Sequence, residues 1–156
     1  MVETESLILF LRGWQSNFAP SPFEADGIKF RQVEQYFMYQ KAKFFGDGHS
    51  MQLILDATTA HQARELGQLI KPFNDSWFAV RYQIMLQGNL HKYQQNPDYL
   101  LKLQQTGCKI LAEANPIDRI WGIGLAEDDP LAQNPEYWTG RNLLGLCLMD
   151  VRSRLC

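Results

Sequence analysis

In the stretch FRQVEQYFMYQKAKFF, residues 30–45, Glu34 and Lys41 interrupt an aromatic, apolar run. Seven helical steps turn through about 700°, some 20° short of two full turns, and rise roughly 10.5 Å. Both side chains therefore leave one face, with Met38 between them. A carboxyl group can move a proton or face a developing positive charge. A neutral amine can attack an electrophilic carbon, and a charged one can hold a phosphate. The usual role of such a pair is a solvated stripe on a helix. Here the flanking residues are Phe30, Tyr36, Phe37, Tyr39 and Phe44, and the segment has few other charges to build such a stripe. The pair reads instead as the lining of an aromatic-walled pocket. Partial burial there would raise the pKa of Glu34 and lower that of Lys41, the latter helped by a nearby cation such as Arg81.

Two further stretches carry chemistry-bearing residues. In ANPIDRIWGIG, residues 114–124, Asp118 is a second candidate carboxylate and Trp121 offers a flat face for a base or ribose edge. Gly122 and Gly124 permit backbone conformations that let a ligand approach closely. An ordinary glycine turn around a core Trp is the alternative. In WTGRNLLG, residues 138–145, Thr139 can cap the last helix. The free N–H groups of its first turn, beside Gly140, Arg141 and Asn142, would then form an anion site. A plain helix cap is the alternative there.

Other chemistries find no support. His49, His61 and His91 stand alone, without HExxH or a ligand partner at helical spacing, so no metal is expected. The three cysteines, 108, 147 and 156, are odd in number and show no CxxC spacing, which argues against a disulfide framework and for a reducing, cytoplasmic setting. Neither GxSxG nor a phosphate-binding P-loop is present. The acidic run Glu127, Asp128 and Asp129 reads as a solvated loop. No cofactor is implied.

The elements that must position these residues follow from pattern and punctuation. The chain has 156 residues, 46% of them hydrophobic, enough for one domain over 1–156 with a full core. Fifteen Lys and Arg against 17 Asp and Glu give a net charge of −2, which does not suggest a protein that wraps duplex DNA and leaves room for a small phosphate-binding pocket. The short apolar run near the N-terminus is no membrane span. Ser6–Arg12 predicts a buried strand, Gly13–Ser21 a loop, and SPFEADGIKF a hairpin around Asp26-Gly27. Helices are predicted over Gln32–Phe45, over Ala60–Ile70 behind Thr58 or Thr59, and over Ser76–Tyr93 behind Asn74 or Asp75, with a short helix or a turn over 50–57. Pro72 ends the helix over Ala60–Ile70. Another helix starts at Asn96-Pro97 and ends at Thr106-Gly107. CKILAEAN predicts a strand, EDDPLAQNPEYW an exposed Pro-broken loop, and RNLLGLCLMDVRSRL a terminal helix. The class is α+β, helix-rich with a few short strands, and no alternating βαβ pattern appears.

Five segments resemble the NADAR family, named for a link to NAD and ADP-ribose metabolism. They are SNFAPSPFEADG (16–27), FRQVEQYFMYQKAKFFGD (30–47), WFAVRYQIMLQGNLHKYQQNP (77–97), LLKLQQTGCKILAEANPIDRIWGIG (100–124) and WTGRNLLGLCLMDVRSRL (138–155). The resemblance implies N-glycosidase chemistry on ribose-linked bases. Its substrates are ADP-ribose attached to guanine in a nucleoside or nucleic acid, or phosphoribosyl-amine intermediates of riboflavin synthesis. It places the helix glutamate on Glu34 and the helix lysine on Lys41. The Trp-Gly loop falls on Trp121-Gly122 with Asp118 just before, and the Gly-x-Asn-x-x-Gly helix start on Gly140, Asn142 and Gly145. Glu34, Lys41 and Asp118 are thus the catalytic candidates. Arg12, Gly13, Asn17, Phe18, Tyr36, Trp77, Arg81, Trp121, Gly122, Gly140, Arg141 and Asn142 are the candidates for binding substrate. Many relatives carry Arg where this chain has Gln68, a lost phosphate contact unless Arg64 supplies it. A module that binds ADP-ribose without cleaving it is the non-enzymatic alternative, and it would not need Glu34 and Lys41 as a pair. No membrane partner is implied.

Overall fold

The computed structural model describes residues 1–71 and 75–156. Pro72 and Asn74, expected to end one helix and cap the next, lie outside the described residues. The chain forms two compact units, one from residues 1–16 and 98–156 and the other from residues 17–97.

The first unit is built on a three-stranded sheet in the order β1 (Val2–Glu3), β2 (Leu7–Phe10) and β5 (Ile110–Glu113). β1 runs antiparallel to β2, whereas β5 runs parallel to it, with Leu7 opposite Ile110 and Phe10 opposite Glu113. A parallel pair needs a long crossover, and here the whole of residues 17–97 lies between the two strands. All four residues of β2 are buried, as its unbroken Leu-Ile-Leu-Phe run requires. The helices of this unit are α5 (Pro97–Gln105), which begins at the proline, and α6 (Leu143–Leu155). Two short 3₁₀ turns occupy Pro130–Gln133 and Pro135–Tyr137. The expectation of a wholly exposed loop there fails at Ala132, which has no exposed surface and joins Leu7, Leu9, Ala112, Ala114 and Ile123 in a core cluster. Trp138 packs against the same cluster and donates its Nε1–H to the Ala132 carbonyl at 2.8 Å.

The second unit holds the hairpin β3 (Phe23–Ala25) and β4 (Ile28–Phe30), followed by α1 (Val33–Phe44), α2 (Gly48–Asp56), α3 (Ala60–Gln68) and α4 (Ser76–Gln95). Asp26 and Gly27 both have positive φ, 52° and 76°, the backbone of a tight two-residue hairpin turn. α1 is the centre of this unit and packs on α2, α3 and α4. Every residue from Val33 to Tyr39 is buried, so its first two turns have no solvent face. α2 begins behind Asp47, whose Oδ1 accepts the Ser50 N–H at 2.9 Å. α3 begins behind Thr59, whose hydroxyl accepts the Gln62 N–H at 3.1 Å, while Gln62 accepts the Thr58 N–H at 3.0 Å. No helix among the described residues is long and apolar enough to cross a membrane.

Candidate active site

The sequence segment Asn17-Phe18 sets the entry to α1. The Asn17 carbonyl accepts the Glu34 N–H at 3.1 Å, which satisfies one of the orphan donors of the helix's first turn. The Asn17 side chain is fixed in turn by α4. Its Nδ2–H donates to the Met85 sulfur at 3.2 Å, and its Oδ1 accepts from Asn89 at 3.3 Å. Asn89 also donates to the Met85 carbonyl at 3.1 Å and is fully buried. The loop, the start of α1 and the middle of α4 are therefore locked by polar bonds in a buried place. Glu34 sits there at 6% exposure. A carboxyl group is seldom so enclosed unless the fold or the chemistry needs it.

At the other end of α1, Lys41 is half-buried, and its Nζ donates to the Gly67 carbonyl at 3.0 Å. Gly67 lies in the last turn of α3, where the helix dipole is negative, and its carbonyl also accepts the Ile70 N–H at 3.2 Å. Burial lowers the Lys41 pKa below the ordinary lysine value of 10.5. The solvated stripe is thus absent: one member of the pair is enclosed and the other is partly desolvated.

Tyr36 and Trp77, both read as substrate contacts, are buried in aromatic clusters on α1. Tyr36 lies edge-on to Phe30 at 5.2 Å and to Phe23 at 5.7 Å, and burial raises its pKa, with a further contribution from Asp26. Trp77 meets Phe37 at 5.4 Å and Phe44 at 5.7 Å. Arg81 sits with its guanidinium 4.8 Å from the Phe78 ring centre. Phe18 meets His61 edge-on at 4.7 Å, with the Arg64 guanidinium 5.8 Å from its ring centre. Gln68, at the position where an arginine was expected, is exposed.

In the other unit, Asp118, Trp121, Gly122, Gly140, Arg141 and Asn142 come together. Asp118 Oδ1 accepts the N–H groups of Ile120 and Trp121, each at 2.9 Å, and so shapes the Trp-Gly loop. The loop is then zipped to the start of α6. Gly140 donates to Ile123 at 2.8 Å, Arg141 to Arg119 at 2.8 Å and Asn142 to Gly122 at 3.0 Å. Leu143 donates to Ile120 at 3.1 Å and Leu144 to Trp121 at 3.0 Å. This overturns the expected anion site: the amides that would have held a phosphate are bonded to the neighbouring loop. The glycines serve the same zipper. A Cβ on Gly140 would lie 2.2 Å from the Gly122 carbonyl, and one on Gly122 would lie 2.8 Å from the Asp118 carbonyl. The close approach they permit is therefore to the chain's own backbone. Nor does Thr139 cap α6; Asn142 holds the N-cap position, in the left-handed region at φ 53°, and its side chain makes no capping bond. Its side chain acts as an extra strand edge, donating to the Leu111 carbonyl at 2.9 Å and accepting the Glu113 N–H at 3.1 Å. Arg12 is exposed just beyond β2, and the Gly13 carbonyl accepts the Ser16 N–H at 3.1 Å.

Several residues escaped the sequence reading. Gly67 and Gly88 carry no local signal, yet a Cβ on Gly67 would lie 2.2 Å from the Met38 sulfur, and one on Gly88 2.7 Å from the Tyr36 ring. Lys92 has no exposed surface, with its Nζ 5.2 Å from the Tyr93 ring centre. No local signal marks it, since its helical neighbours Gly88, Asn89, Gln95 and Asn96 are small or polar. Among the described residues no three His, Cys, Asp or Glu gather as metal ligands would.

The NADAR domain model matches residues 10–156. The chain belongs to the NADAR family. It is 37% identical to N-glycosidase R617 of Acanthamoeba polyphaga mimivirus, over 92% of this chain and 85% of that protein. The NMR structure of the E. coli protein YbiA superposes with a TM-score of 0.80 at 28% identity, covering 99% of this chain and 87% of that one. A riboflavin biosynthesis protein of Vibrio vulnificus, VVA0006, is 29% identical over 92% of this chain but only 35% of its own length. The NADAR protein described here is a helix-rich α+β hydrolase acting on N-glycosidic bonds.

Proposed function

We propose that this N-glycosidase removes ADP-ribose from guanine bases, in a nucleoside or in nucleic acid. The observation that carries the catalytic reading is the enclosure of Glu34. A carboxyl group held at 6% exposure by the Asn17 loop is suited to one task at a ribose–nitrogen bond. Cleavage leaves positive charge on the anomeric carbon and needs a proton on the departing nitrogen. Protonated, Glu34 gives that proton; ionised, it faces the charge. Lys41 then attacks the anomeric carbon, or the aldehyde of the opened sugar. The anomeric C–N bond breaks with its electron pair leaving on the protonated nitrogen, and water later hydrolyses the resulting lysine adduct. The lowered pKa of Lys41 supports this role, since the attacking amine must be neutral. In the other unit, Asp118 shapes the Trp121 loop.

A second reading, clearance of phosphoribosyl-amine intermediates of riboflavin synthesis, draws on the similarity to VVA0006. One mass-spectrometric assay separates the two. Purified protein is incubated with guanine-linked ADP-ribose and, separately, with those intermediates. Release of ADP-ribose from the first is expected. Release of ribose 5-phosphate from the second alone would select the second reading. Tight binding of ADP-ribose with no product from either would make the protein a binding module.

A further inference from the structure

The second unit contains a cavity of about 540 Å³ that the catalytic reading does not use. That volume falls within the range of small-molecule sites. Its walls include Phe18, Pro20, Pro22, Arg31, Gln32 and His61. Gln32 is the N-cap residue of α1, yet its side chain makes no capping bond. It is only 5% exposed and shows no side-chain hydrogen bond to a described residue, and its amide atoms are not among the fully buried unpaired ones, so they open to the cavity that it lines. An amide that opens to a cavity keeps its donor and its acceptor for water or a ligand. The cavity also adjoins the candidate site along the chain: Gln32 stands two residues before Glu34, and Phe18 follows the Asn17 whose carbonyl holds the Glu34 N–H.

We propose that this cavity recognises the base of the substrate, and that the Gln32 amide reads its edge. The Nε2–H of Gln32 donates to a ring carbonyl, while Oε1 accepts from the ring N–H beside it. Guanine carries that pair of groups side by side, and a side-chain amide matches it with two bonds. Phe18 and the two prolines supply the flat, apolar surroundings that a planar heterocycle needs. The proposal deepens the N-glycosidase reading and rests on it, since it places the base next to the carboxyl group that would act on the bond to that base.

The test is a binding measurement that does not depend on turnover. Guanosine and 1-methylguanosine, whose ring N–H is replaced by a methyl group, are titrated into the full chain. The Gln32 side-chain amide is followed by nitrogen-edited NMR in the wild type and in Gln32→Leu and Gln32→Glu. Guanosine is expected to shift the Gln32 amide signals and to bind roughly ten- to a hundredfold tighter than its methylated form. Gln32→Leu is expected to abolish that preference without lowering the melting temperature, because no partner in the free protein is orphaned. Gln32→Glu, which cannot donate when ionised, is also expected to lose it. Equal binding of the two nucleosides to wild type would overturn the proposal, and so would a preference that survives Gln32→Leu. The cleavage assay fails or succeeds separately: discrimination without release of ADP-ribose would leave the base pocket standing and remove the guanine-linked ADP-ribose reading.

Discussion

The ammonium of Lys41 on α1 donates to the carbonyl of Gly67 on α3 at 3.0 Å, one turn beyond the point where Met38 fills the space that a Gly67 side chain would need. One glycine thus sets both the packing of the two helices and the position of the candidate nucleophile. Gly67→Ala adds a Cβ 2.2 Å from the Met38 sulfur and 2.9 Å from the Met38 Cβ. The sulfur can swing away, but the Cβ cannot without moving the helix. Alanine would ordinarily favour a helix over glycine by about 1 kcal/mol. Here the variant is expected to lose about 1–3 kcal/mol of stability instead, read by urea denaturation. A gain in stability would show that the two helices are not so closely packed.

The lowered pKa of Lys41 gives stability a sign in alkaline solution. Between its folded-state pKa and 10.5, the unfolded chain holds a proton at this side chain that the folded chain has released. Stability therefore rises with pH across that window. The contribution is complete above 10.5 and is lost as pH falls through the folded-state value. Denaturation of wild type against Lys41→Met across this range is expected to show the wild type gaining relative to the variant. Parallel curves would mean that the amine titrates as it does in water.

Asn142 predicts a stability effect in the other unit. Its side chain holds the Leu111 carbonyl and the Glu113 N–H. Asn142→Ala leaves both backbone groups without that partner and keeps the left-handed backbone that alanine resists. A loss of about 2–5 kcal/mol is expected on chemical denaturation. Asn142→Asp keeps the acceptor but cannot donate to Leu111, and is expected to fall between the two.

Asp118 can be separated from the chemistry by its acceptor role. Asp118→Asn retains an Oδ1 for the Ile120 and Trp121 N–H groups, and turnover is expected to stay within about tenfold of wild type. Asp118→Ala removes the acceptor, and both melting temperature and turnover are expected to drop. Asp118→Asn that folds normally yet loses turnover a thousandfold would make Asp118 a catalytic carboxylate instead of a positioning residue.

The sequence was most legible where structure is local. Asp26-Gly27 carries its hairpin turn in two adjacent residues, Pro97 opens its helix, and Thr59 with Gln62 marks the start of α3. It was least legible where partners lie far apart along the chain. Nothing near Gly140 or Asn142 discloses that residues 119–123 consume the amides at the head of α6. The free helix start read from WTGRNLLG therefore had no way to reveal its own occupant. Gly67 and Gly88 likewise look like ordinary helix glycines until Met38 and Tyr36 are placed against them. At the candidate site, the spacing of Glu34 and Lys41 indicated a shared face, and their burial answers whether that face meets water. Gln32 was read only as the first residue of a helix, because the cavity its amide faces is a property of surroundings and not of sequence.

The most direct measurement compares wild type with Glu34→Gln on guanine-linked ADP-ribose, following binding by calorimetry and product by mass spectrometry. Glutamine keeps the shape but cannot supply a proton or a negative charge. Cleavage is expected to fall by roughly 10²–10⁴-fold while affinity is retained. A variant that binds and cleaves as wild type does would contradict the assignment of Glu34 to the ribose–nitrogen bond.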